Sequence, residues 1–116
     1  VADKDVFNIE EPLKALDNNM DLLKDIAQTF IDDCPHKLET MRDAVASGDA
    51  ERIHRAAHSF KGSISNFGRN AAFHAANKMN LDAREGKTDT AAADLQELEH
   101  EVEQFIAALR DQVLAA

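Results

Sequence analysis

His58, Lys61 and Gly62 stand within five residues of one another, and Ser63 and Ser65 follow closely. Histidine has an ordinary pKa near 6.5, so at neutral pH most exposed imidazoles carry a free lone pair on one ring nitrogen. A lysine ammonium one helical turn away can neutralise an anion attached to that nitrogen, and serine hydroxyls can donate to it. Histidine, lysine and an open approach suit a nucleophile that takes up a phosphoryl group. Nothing in the chain would generate that group, because no glycine-rich phosphate loop follows a strand.

Gly62 is the residue that local rules do not explain. It interrupts an apolar repeat of Ile53, Ala57, Phe60, Ile64 and Phe67. Inside a helix, glycine costs about 1 kcal/mol relative to alanine. The repeat keeps its phase across the glycine, which predicts one uninterrupted helix. The alternative is a stop at Lys61 with a new start at Ser63 or Ser65. On the uninterrupted helix His58 lies roughly 140° from the apolar stripe, His54 and Ser65 at roughly 100–120°, and Lys61 at roughly 80°. Gly62 comes out at roughly 180°. Helical side chains lean toward the N-terminus, so Lys61 can reach back over the imidazole. A bulky side chain at position 62 would partly cover the ring, and glycine leaves it open to another molecule.

Metal chemistry competes for the same residues. His54 and His58 are four apart, a spacing that can hold a metal ion from one helix face. The residues between them are Arg55-Ala56-Ala57, without the glutamate of a helical metalloprotease motif, and Lys61 repels a cation. No metal ligand is assigned on this basis. Glu51-x-x-His54 and Glu97-x-x-His100 match the di-iron pattern of helical bundles, whose ligands must point inward. Both pairs are displaced from their apolar stripes, and no paired inward glutamates appear elsewhere.

The elements that position these residues are helices. Alanine supplies twenty of 116 residues, Trp and Tyr are absent, and Gly plus Pro total six. That composition favours helix over strand. One stripe runs Met20, Leu23, Ala27, Phe30, Cys34, Leu38, Met41, Val45, and another Leu95, Leu98, Val102, Phe105, Leu109, Val113. A weaker one, Ala72, Ala76, Met79, Ala83, is helped by Phe73. Ser47-Gly48-Asp49, Gly68-Arg69-Asn70 and Gly86 with Thr88 and Thr90 mark the breaks, and Asn18-Asn19 starts the first long helix. Pro35 is read as a kink within that helix, a two-helix split being the other option. Four amphipathic helices with short connections predict an all-α, antiparallel four-helix bundle. A short additional N-terminal helix around Phe7, Ile9, Leu13 and Leu16 is expected to lid one end. Phe30, Phe60, Phe67, Phe105 and Cys34 are expected in the core, with Phe7 and Phe73 at the bundle ends.

Charge and composition narrow the function. A net charge of -9 argues against nucleic-acid binding, which needs a basic face. One cysteine allows no internal disulfide and suggests a reducing compartment. No apolar run approaches the ~20 residues of a membrane span. Residues 49–69 nevertheless carry a net +2, against -11 for the remainder. That basic island can steer toward an acidic pocket.

His58-Ser59-Phe60-Lys61-Gly62-Ser63-Ile64-Ser65-Asn66-Phe67-Gly68 resembles the signature of histidine-containing phosphotransfer (HPt) domains. That signature is a histidine, Lys-Gly three and four residues later, and a second glycine ten residues after the histidine. The likeness extends over essentially the whole chain, through the Phe7–Leu16 segment, Pro35, Gly48-Asp49 and Arg84-Glu85-Gly86. Ile64 departs from it, standing where small residues are frequent. The resemblance implies that His58 accepts a phosphoryl group from the aspartate of a receiver domain and passes it to another. It implies that Lys61 holds the phosphoryl oxygens, Gly62 admits the partner and Ser65 contributes a hydrogen bond. It implies no cofactor of the chain's own, with magnesium on the receiver, and no kinase activity. The expected setting is a cytoplasmic, monomeric domain over residues 1–116, cut from a larger hybrid sensor kinase, since Val1 opens the chain. A helical interaction module with a non-signalling or metal-binding histidine face is the alternative.

Overall fold

A computed structural model describes residues 5–116. Its helices are α1 (Glu10–Ala15), α2 (Met20–Ser47), α3 (Ala50–Ser65), α4 (Ala71–Arg84) and α5 (Ala91–Leu109). A π-helical turn, Arg110–Leu114, continues α5. Helices α2 to α5 each pack against the next in sequence, and α5 closes back on α2. This is the antiparallel four-helix bundle expected from the four stripes. Among the described residues there is no strand, and no helix is long and apolar enough to cross a membrane.

Local chemistry sets the helix ends. Asn19, Asp49 and Asn70 each accept a hydrogen bond from a backbone N–H of the helix they open, at 3.0, 2.9 and 2.9 Å. Each such cap is worth about 1 kcal/mol. Gly48 follows α2 with φ +70°, a conformation that other residues adopt at a cost. Thr90 precedes α5 but donates its hydroxyl to Asp94 Oδ2 rather than capping the backbone. Pro35 lies exposed within α2, which stays one continuous helix of 28 residues, so the two-helix option is excluded. At 1.5 Å per residue α2 is about 42 Å long, which accounts for the 41 Å long axis of the molecule.

The core follows the stripes. Leu23, Ala27, Met41, Ile53, Ala57, Ile64, Leu98, Val102 and Leu109 are buried, as is Cys34. Phe30 sits among Phe60, Phe67 and Phe105 with ring centroids 5.3–6.2 Å apart. The contacts, edge-on with Phe67 and Phe105 and stacked with Phe60, add to the stabilisation from burial itself. Phe67 belongs to this cluster although α3 ends at Ser65, two residues short of the stripe. Asn66 keeps helical dihedrals, so the phase carries over to Phe67 before the chain turns at Gly68, φ +104°.

The segment before α2 does close one end. Phe7 is buried against Phe67 and Phe105, and the Asp5 carbonyl accepts the N–H of Ala71 at 2.6 Å. Glu11 lies over Gly68, so a side chain at that glycine would collide with the carboxylate. Phe73, also buried, stands apart from the cluster, with Arg69 over its ring at 5.5 Å.

Candidate functional site

His58 lies near the middle of α3, and its side of the helix is open. The stripe Ile53, Ala57, Phe60 and Ile64 is buried at 0–2% exposure and fastens α3 to the core, so residue 58 must face outward. The imidazole makes no hydrogen bond among the described residues. Arg55, one turn before it, is exposed, and Lys61, one turn after it, is half-buried without a carboxylate partner among the described residues.

Gly62 is helical, exposed, and surrounded by empty space: a Cβ built there meets nothing within 4 Å. Gly48, Gly68 and Gly86 have positive φ, and Gly62 does not. Neither backbone conformation nor packing inside this chain therefore calls for glycine at 62.

The flanks of the site differ. His54 comes one turn before His58, with ring centroids 6.0 Å apart, and it turns toward α4, where its Nδ1 lies 3.3 Å from the carbonyl oxygen of buried Asn80. Lys61, seven residues beyond His54, is on this same flank. On the other flank Ser63 joins Ile26, Phe30, Asp33, Lys37 and Phe67 around a recess of about 330 Å³ between α2 and α3. Gly62 stands between His58 and that recess.

The serines are engaged locally. Ser63 Oγ donates to the Ser59 carbonyl at 3.3 Å, and Ser65 Oγ to the Gly62 carbonyl at 2.6 Å. Seven residues separate Ser65 from His58, about 10 Å of helix rise. Lys61 and Arg55 each stand within one turn of the imidazole.

His36, His74 and His100 are exposed on other helices and do not join this site. Cys34 is 1% exposed, and burial pushes its thiol from 9.0 up to about 11, which Arg42 and Lys37 offset only in part. It is a core side chain. No three His, Cys, Asp or Glu side chains among the described residues form a cluster fit for a metal ion.

Sequence reasoning missed the α4 contribution to the site and the recess beside Gly62. Asn80 carried a signal, a polar residue four positions after Ala76 on a helix face otherwise lined with alanine.

An exposed histidine stands halfway along one shaft of a four-helix bundle, followed by lysine and an open glycine. The family model of the Hpt domain matches residues 25–111, and the chain belongs to that family. No curated protein and no solved structure matches the chain.

Proposed function

We propose that His58 is a phosphoryl acceptor and donor between receiver domains. A ring nitrogen attacks the phosphorus of a receiver's aspartyl phosphate, the N–P bond forms, and the P–O bond to the aspartate breaks and returns its carboxylate. Transfer to a second receiver runs the same exchange in reverse. Lys61 offsets the anionic charge on the phosphoryl oxygens, and Gly62 admits the receiver's active-site edge. The divalent ion that assists the chemistry is expected on the receiver, where the aspartates gather.

The observation that carries this reading is the empty space around Gly62 beside an uncovered imidazole. The basic surface of residues 49–69 on an otherwise acidic chain favours encounter with an acidic pocket. Incubation with a phosphorylated receiver should place an acid-labile, alkali-stable label on the chain. His58→Gln should abolish it while leaving helicity unchanged. Label that persists in that variant moves the acceptor elsewhere.

A further inference from the structure

We propose that His54 and His58 form a two-histidine binding site for a divalent ion such as Zn2+ or Cu2+, and that the ion blocks phosphoryl uptake when bound. The blocking rests on His58 being the acceptor; the ion site itself does not.

Spacing alone left this pair a weak candidate. The contact with α4 changes that, because a carbonyl oxygen can only accept. The approach of His54 Nδ1 to the Asn80 carbonyl at 3.3 Å therefore places the ring proton on Nδ1. The neutral ring then carries its lone pair on Nε2, away from α4. An N–H held by a backbone carbonyl is the usual outer support of a metal-binding histidine, fixing both tautomer and ring direction. The anchor comes from the backbone of a residue that is 3% exposed and lies within α4.

The ring separation fits one shared ion. With a metal–nitrogen bond of 2.0–2.1 Å, the ion lies about 3.2 Å from each ring centroid. Two rings on one ion then have centroids between about 5.2 Å (tetrahedral angle) and about 6.4 Å (opposed ligands). The observed 6.0 Å falls inside that interval, with the rings tilted by 31°. His58 is exposed and without a hydrogen bond among the described residues, so it can turn to close the angle.

Imidazole pairs suit zinc and copper, while magnesium and calcium prefer oxygen ligands. Two ring nitrogens replace two waters of the hydrated ion, and water keeps the remaining positions. Lys61 and Arg55 oppose the ion electrostatically. Arg55 is countered by Glu51 at 3.7 Å, and solvent screens its exposed charge. The lone pair of His58 cannot serve the ion and a phosphorus atom together, so bound metal and phosphoryl uptake exclude each other.

The test is a titration of the whole chain with zinc chloride in a non-chelating buffer, followed by the imidazole NMR signals and by calorimetry. One equivalent should move the His54 and His58 signals and leave those of His36, His74 and His100 in place. His54→Gln and His58→Gln should each weaken binding by about tenfold or more with unchanged circular dichroism. Equal zinc affinity in His54→Gln, or signal changes confined to other histidines, overturns the site.

A second arm measures label uptake from a phosphorylated receiver. Zinc should slow uptake by the parent chain and not by His54→Gln, which should take up label normally in zinc-free buffer. Zinc that binds the pair without slowing uptake overturns the blocking role. Uptake that survives His58→Gln overturns the relay reading, and the zinc titration still judges the ion site.

Discussion

The Ser65 hydroxyl donates to the Gly62 carbonyl at 2.6 Å, closing a hydrogen bond within the last turn of α3. The serine thereby turns its donor onto the helix backbone and away from His58, while Lys61 keeps a free ammonium one turn from the ring. Ser65→Ala should change phosphoryl uptake by less than about twofold, and Lys61→Ala should slow it by roughly 10- to 100-fold, a charge-assisted contact being worth about 1.5–3 kcal/mol. Rapid-quench measurement of label uptake checks both. A large loss in Ser65→Ala would show that the hydroxyl swings outward in the complex.

Gly62 is where stability and function oppose each other. Gly62→Ala has open space for its methyl and removes the helix penalty of glycine, so it should raise stability by about 0.5–1 kcal/mol in urea denaturation. Gly62→Leu should keep the fold and slow uptake by tenfold or more (roughly 1.4 kcal/mol or more of barrier). A folded leucine variant with parent-like uptake would remove the clearance argument.

Phe105 is fully buried in the aromatic cluster, against Phe7, Phe30 and Phe67 at 5.3–5.8 Å. Phe105→Ala should cost about 3–5 kcal/mol, from lost burial plus the cavity left behind. Chemical denaturation reads that loss as a lower midpoint. A cost under 1 kcal/mol would mean that the core collapses to refill the space.

Cys34 gives the molecule an alkaline signature. Its thiol ionises near 9.0 in the unfolded chain and near 11 in the fold, chiefly because burial disfavours the thiolate. Below pH 9 both states keep the proton and the residue costs nothing. Between pH 9 and 11 the unfolded chain releases its proton first, so stability should fall by on the order of 2 kcal/mol, and Cys34→Ala should lose this pH dependence. Iodoacetamide at pH 8 should leave the folded protein unmodified and label it in denaturant.

Much of this was legible in order along the chain. The phase of Phe60 and Ile64 across Gly62 called for one helix, and α3 runs through that position unbroken. Asn19, Asp49 and Asn70 announced helix starts because a short side-chain acceptor meets a free N–H within two or three residues. The outward face of His58 followed from the same periodicity, since an apolar stripe on one side of a helix leaves the opposite side to water.

Contacts between helices were beyond that reading. Periodicity shows which face of α4 is buried, and not which backbone carbonyl of α3's neighbour will meet His54. Nor does it show that Ser63 will border a recess shared with α2, or that Phe7 will lodge between Phe67 and Phe105. Local sequence determined the helices, their ends and the exposed His58–Lys61–Gly62 edge, because those depend on neighbours within one or two turns. Only the tertiary structure decided the approach of His54 to the Asn80 carbonyl and the shape of the ground beside Gly62, because both depend on how four helices settle against one another.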